Sequence, residues 1–369
     1  MSTIVVATPD VVGERMAGPA IRAWHLAREL SGVAPTTLIA KIEDEGAIGV
    51  EGIPLIDRRS DAAGAVLRAA RVLVGQPARG FRKVRRGQKV AFDMFDPTVL
   101  ELRELYGNSP SLRQRIHLAA EWSRLCYALE MADLLIAAAP QQKRFYSQLQ
   151  SSDAPWVEVP FGVDLQESSV CAKPQDNVVI WGGGVWAWLD PVTAIEAIHR
   201  VNAGGIHCKL LFLGGTRPNR DLIDRRREDR FAQLLADAGP DVSANPRWVP
   251  YRERLSWLRA GKIAIMLHRA TPEAEFSIRT RLFDAIAAGV PVVATASGFA
   301  ADLVERESLG VVVPPEDPGA VAAAIRRLLT DDVFHASCVQ SLERIRPRYA
   351  WGVVARPLVE AIREWLKQS

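Results

Sequence analysis

Short runs of β-branched and aliphatic residues recur along this chain, and longer stretches with helical spacing separate them. Runs that are apolar throughout, rather than alternating, suit strands buried on both faces of a parallel sheet. In the first half the pattern predicts strands at Ile4–Thr8, Thr36–Ala40, Ile53–Ile56, Val90–Phe95 and Leu134–Ala138, with Val157–Val163 closing the set. In the second half it predicts strands at Val178–Trp181, Lys209–Leu213, Arg247–Val249, Ile263–Leu267, Val290–Ala294 and Gly310–Val313. Strand and helix in alternation build βα units, so the fold class is α/β, with two doubly wound Rossmann-like domains in tandem. The join is expected at Pro160-Phe161-Gly162-Val163-Asp164 and the polar stretch that follows, Gln166 to Asn177. This sets expected domains at 1–165 and 166–345. Residues 346–369 read as an amphipathic helix broken near Pro347 and Pro357, because proline lacks the N–H a helix needs.

Composition narrows the picture slightly. A chain of 369 residues exceeds one ordinary α/β core, which agrees with two domains. Lys and Arg total 46 against 43 Asp and Glu, so the net charge of +3 gives little reason to expect an anionic macromolecule as partner. No nucleic-acid-binding motif accompanies the basic run Arg79–Lys89, so no nucleic acid is expected. That run, with Phe81 inside it, reads either as a solvated loop or as a weak contact with an anionic membrane surface or a lipid-linked acceptor. The four cysteines, Cys126, Cys171, Cys208 and Cys338, have no metal-ligand spacing, and no metal is expected. No apolar run reaches the ~20 residues of a membrane helix, and no leader pattern opens the sequence. A cytoplasmic protein, peripheral to the membrane at most, is expected.

The most informative stretch is Glu273 to Thr295, which reads as loop, helix and buried strand. Arg279 and Arg281 stand at the mouth of the helix with Thr280 between them, and Asp284 sits a turn further in. Free N–H groups and the positive dipole end make a helix start an anion site. Guanidinium forks suit phosphate oxygens, and a nearby carboxylate can accept from ribose hydroxyls. The segment therefore suits a nucleotide diphosphate; the alternative is an ordinary amphipathic helix with solvated arginines.

These residues carry a resemblance. Ile278-Arg279-Thr280-Arg281-Leu282-Phe283-Asp284, followed by Gly289-Val290-Pro291-Val292, resembles the donor-binding helix of retaining GT-B glycosyltransferases, particularly family 4, in a branch with Phe-Arg-Thr-Arg-x-x-Asp. The usual pattern has a glutamate eight residues before the position of Asp284; here that place is Phe276, and Glu275 is displaced by one. The resemblance implies a GT-B fold with an interdomain cleft. It implies transfer of a sugar from a nucleotide diphosphate sugar to an acceptor hydroxyl, with retention of configuration and without a metal. No cofactor is implied beyond the donor, and the acceptor is a sugar, a lipid-linked molecule or a small molecule. It also implies that the last helix returns to the first domain; from the pattern alone, packing on its own domain serves equally.

The remaining candidates follow the same frame. In the first domain, Gly18 closes a glycine loop before a helix and is expected near donor phosphates; Arg22, one turn on, either reaches the same space or is solvated. Asp93 and Asp96 end a strand, where ligands of open sheets gather, and either can serve an acceptor; Asp96 otherwise caps the helix that Pro97 begins. In the second domain, Gly183 lies in a Gly182-Gly183-Gly184 loop, and Trp186 either walls a sugar or base or packs an interface. Family members carry Arg and Lys in that loop, and none stands between Gly182 and Pro191, so Arg279, Arg281 and Arg217 are the expected replacements. Val249 is expected beside the base, and His268 either contacts the donor or is a packed histidine. Arg279 and Arg281 are assigned the phosphates and Asp284 the ribose. The rivals are a nucleotide-sugar 2-epimerase of the same fold and a non-catalytic sugar-nucleotide-binding subunit.

Overall fold

The computed structural model describes residues 3–42, 52–83, 86–165, 177–214 and 225–368. Two compact units are present: one comprises residues 1–162, 276–278 and 349–369, the other residues 163–275 and 279–348.

The first unit holds a seven-stranded sheet: β1 (Ile4–Val12), β2 (Thr36–Ile42), β3 (Leu55–Asp57), β4 (Val72–Gly75), β5 (Lys89–Asp93), β6 (Leu134–Ala137) and β7 (Trp156–Glu158). Their order is β3-β2-β1-β4-β5-β6-β7, and every pair is parallel. The second unit repeats the plan with β8 (Val178–Trp181), β9 (Lys209–Phe212), β10 (Val242–Ala244), β11 (Ile263–Met266), β12 (Val292–Thr295) and β13 (Gly310–Val313), ordered β10-β9-β8-β11-β12-β13, again all parallel. Parallel pairing needs crossovers, and helices supply them, so both sheet faces are covered and the strands stay apolar throughout. Each unit is thus a doubly wound, all-parallel α/β sheet of the Rossmann type.

Each sheet makes its own core. In the first, Leu73, Phe92, Leu129 and Leu135 pack together; in the second, Trp181, Phe212, Ile198 and Ile325 do so. Burying each such side chain contributes about 1.5–3 kcal/mol. The second unit's helix α10 (Thr280–Ala288) ends on Gly289, whose φ of 73° is a left-handed cap that a side chain would strain.

Three expectations need correction. β4 was not among the expected strands; Val72-Leu73-Val74 is too short to stand out beside the alanine-rich helix before it. The edge strand of the second sheet is β10 at Val242–Ala244, and Arg247–Val249 belongs to the connection beyond it. β1 runs on to Val12, with a register irregularity between Ala7 and Val11, so the glycine loop starts later than Pro9.

Within the first unit the chain's end is segmented: α14 (Trp351–Val354) and α15 (Arg356–Lys367) follow a 3-10 turn at Arg346–Tyr349. Trp351 stacks on His25 at 4.7 Å between ring centroids and lies against Gly162, where a Cβ would fall 2.3 Å from the indole.

Candidate functional site

In the second unit the chain runs outward from β8 to β9 and β10, then crosses back to place β11 on the other side of β8. The loops leaving β8 and β11 therefore diverge, and the crevice at such a switch point is where open α/β sheets take ligands. The loop after β8 is Gly182-Gly183-Gly184. Gly183 has φ 72°, and a Cβ on Gly214 would lie 2.4 Å from its backbone, so the loop after β9 presses directly on it. A Cβ on Gly184 would meet the Trp248 ring at 2.8 Å. A side chain therefore has no room at Gly184 or Gly214, while Gly183 is held to glycine by its positive φ.

From the β11 side come α9 (Pro272–Phe276) and then α10. Arg281, in the first turn of α10, donates through Nη2 to the Gly184 carbonyl, and its guanidinium carbon lies 5.2 Å from the Trp181 ring centroid. Its Nη1 is buried and has no hydrogen-bond partner among the described residues. Leaving such a donor unmet costs about 1–3 kcal/mol, which an anionic ligand would recover. Burial, then Arg279 beside it, pulls this guanidinium down to about 9, still cationic at neutral pH.

Arg279, the N-cap of α10, does not stand open at the helix mouth. Its fork holds the fully buried Glu273, with Nη1 to Oε1 at 2.9 Å and Nη2 to Oε2 at 2.7 Å. It brings charge to this place while its bidentate face is occupied. Thr280, half-buried, opens α10 behind it. Asp284 accepts from Arg254 Nε at 2.9 Å on Oδ1, and Arg254 lies 3.8 Å over the Tyr251 ring. Burial raises the Asp284 carboxyl, against the pull of Arg254 and Arg281. Glu275 accepts from Ser297 Oγ at 3.0 Å, and a Cβ on Gly298 would be 2.6 Å from the Ala274 carbonyl. The displaced glutamate is thus held at the start of α11 (Gly298–Glu307).

His268 lies two residues beyond β11 and is 1% exposed; its backbone N–H donates to Thr295 Oγ1 at 3.1 Å. Burial, then Arg279, lowers its ring to about 4, so it is neutral at pH 7. Trp186 stacks on Trp188, 5.7 Å apart and 3° from parallel, and packs against the second unit's own core. Val249 is buried beside Tyr251. Arg217 lies outside the described residues.

The first unit has its own switch point, between β1 and β4. Gly18, half-buried, heads α1 (Gly18–Ser31), whose N-cap Ala17 supplies no side-chain acceptor. Arg22 is neither solvated nor open. It is 1% exposed, forks onto Asp93 at 2.7 and 2.9 Å, and donates to the Val159 carbonyl at 2.9 Å. The pair ties α1 to β5 and to the chain beyond β7, and it removes Asp93 from the acceptor role. Asp96 is not a cap: the N-cap of α3 (Thr98–Tyr106) is Pro97. Instead Asp96 Oδ2 accepts from Gln76 Nε2 at 2.9 Å, just past β4. Burial, with Asp10 and Asp93 nearby, raises its carboxyl to about 7 against the pull of Gln76 and Arg22. In the basic run, Phe81 is buried against Phe92, and Lys83 and Lys89 both reach Asp133, at 2.7 and 3.2 Å. Val84 and Arg85 lie outside the described residues.

Glu273, Arg254 and Gln76 were not singled out from sequence; each acts through a partner brought close only by the fold. Among the described residues no group of three or more His, Cys, Asp or Glu could hold a metal ion. No helix among them is long and apolar enough to cross a membrane.

Residues 176–331 match a family model described as glycosyl transferases group 1. The D-inositol 3-phosphate glycosyltransferase of Corynebacterium urealyticum is 32% identical over 114 residues, 31% of this chain and 26% of that protein. That of Nocardioides sp. is 26% identical over 258 residues, covering 64% and 54%. The chain thus spans about half or less of the curated relatives it matches. In fold it is similar to a sucrose-phosphate synthase from Thermosynechococcus elongatus (TM-score 0.72, 18% identity, 99% of both chains). It is also similar to Anabaena HepE, solved with UDP-glucose (TM-score 0.73, 13% identity, 99% of this chain and 100% of that one).

Proposed function

We propose that the protein is a retaining glycosyltransferase that moves a sugar from a nucleotide diphosphate sugar to an acceptor hydroxyl without a metal ion. One observation carries the reading. The stretch matched by the glycosyl transferases group 1 model contains the switch-point site of β8 and β11, where Arg281 has a buried donor unmet beside a glycine loop.

The roles follow from chemistry. The diphosphate lies along Gly182–Gly184 and against the head of α10, where backbone N–H groups, Arg281 and the charge of Arg279 oppose its developing negative charge. Asp284 accepts from the ribose, with Arg254 fixing its orientation. The base sits beside Val249 and is held by backbone groups. Attack on the face the leaving group vacates explains retention and needs no protein nucleophile. In the first unit, Asp96 is suited to take the acceptor's proton, because a carboxyl near pH 7 can both accept and release one. Anabaena HepE was solved with UDP-glucose, which puts uridine diphosphate sugars first in a donor panel.

The test is donor consumption followed by proton NMR, with and without pooled sugar and polyol acceptors. The proposal expects acceptor-dependent release of nucleoside diphosphate and a product with the donor's anomeric configuration. Conversion of the donor alone into its 2-epimer would refute transfer, and an inverted product would refute retention.

A further inference from the structure

The first unit carries a surface that the proposed reaction does not use. α4 (Leu112–Met131) packs inward through Leu125, Ala128 and Leu129. Its start is closed by a capping box: Gln114 N–H donates to Ser111 Oγ at 3.4 Å, and Ser111 N–H donates to Gln114 Oε1 at 2.8 Å. At about 100° per residue, the side facing away from the core carries Leu112, Ile116 and Ala119 in its first turns, then Ser123, Cys126 and Glu130. Leu112 is 74% exposed and Ile116 is 62%; Trp122, at the stripe's edge, is 45%. Arg113 and Arg115 flank the stripe on opposite sides, both exposed, and neither has an ion-pair partner among the described residues. Arg124 and His117, further from the stripe, both pair with Glu121.

We propose that the first two turns of α4 dock on an anionic lipid surface. Apolar side chains between unpaired guanidinium groups, with a tryptophan at the margin, match the layering of acyl chains, phosphates and interface. The stripe is ~12 Å long before polar residues replace it, too short for the ~800 Å² per partner of a stable protein interface. A weak, salt-sensitive membrane contact needs less area, because charge supplies part of the attraction. The same charges explain why Leu112 and Ile116 remain exposed without a protein groove to fill. The location differs from the Arg79–Lys89 run, where Phe81 is buried and two lysines are held by Asp133.

The test is flotation of the full chain with vesicles of phosphatidylcholine alone and with about one third phosphatidylglycerol. The proposal expects binding to the anionic vesicles only, weakening as salt rises from about 50 to 300 mM. Each near-surface arginine is worth about fivefold in partitioning, so Arg113→Gln with Arg115→Gln should lose roughly 25-fold. Ile116→Asp should lose a comparable amount. Circular dichroism should show the native helix content in both variants, since the positions are exposed. Absence of wild-type binding to anionic vesicles would overturn the proposal, as would unchanged binding by folded variants. A concentration-dependent dimer that Ile116→Asp dissociates, without vesicle binding, would equally overturn it and assign the face to a second copy.

Discussion

Replacing Arg281 tests the donor site at its most exposed physical claim. Arg281→Ala removes the donor to the Gly184 carbonyl, the unmet Nη1 and the positive charge at the head of α10. The first loss acts on the folded protein. A hydrogen bond of this kind contributes ~1 kcal/mol, which lowers Tm by roughly 2–4 °C for a domain of this size. The other two act on the reaction, and only as far as they oppose charge that grows as the diphosphate departs. One preorganised donor of this type is worth ~2.7–4 kcal/mol, so turnover should fall about 100–1000-fold while KM for the donor changes less. Arg281→Lys keeps a charge. A lysine cannot bond Gly184 and present a second planar N–H together, so it should recover only part of the loss. Steady-state kinetics on both variants, with thermal melts to confirm folding, separates the two effects. Near-normal turnover in folded Arg281→Ala would refute the placement of the diphosphate and turn attention to Arg217.

Other outcomes follow from neighbouring contacts. Asp284→Ala should weaken nucleotide binding by about 1.5–3 kcal/mol by calorimetry, since a charged acceptor for ribose is lost, and it also removes the carboxylate that pairs with Arg254. Glu273→Gln should leave Arg279 with an uncompensated buried charge, cost ~3–5 kcal/mol of stability in denaturant titration, and alter donor KM. Asp96→Asn should raise Tm at pH 8 but scarcely at pH 4. Between about 4 and about 7 the unfolded carboxyl has released a proton that the folded one keeps, so wild-type stability falls as pH rises through that window and the variant's does not. Transfer should survive chelator; loss of activity restored by magnesium or manganese would contradict stabilisation by arginine and helix dipole.

Much of the fold was readable from the chain, and the reasons are physical. Val178–Trp181 stands at its expected bounds because a strand buried on both faces has no polar position to blur it. The edge strand at Val242–Ala244 was misplaced because an edge is short and only partly covered, so Val-Ser-Ala looks weaker than Arg-Trp-Val nearby. The site was less readable. Arg22 on a helix looks like a solvated charge, and nothing local shows that Asp93, on β5, completes a buried pair with it. Arg279 looked like an open phosphate ligand because Glu273 precedes it across a break between α9 and α10 that no periodicity reveals. Spacing locates charges along the chain, while their partners depend on how the elements pack.

The most direct test of the donor assignment is a crystal structure of the protein with the nucleoside diphosphate that binds best. The account predicts phosphate oxygens within hydrogen-bonding distance of Arg281 and the Gly182–Gly184 backbone, with the ribose hydroxyls at Asp284. A diphosphate bound elsewhere, with Arg281 Nη1 still unmet, would contradict it.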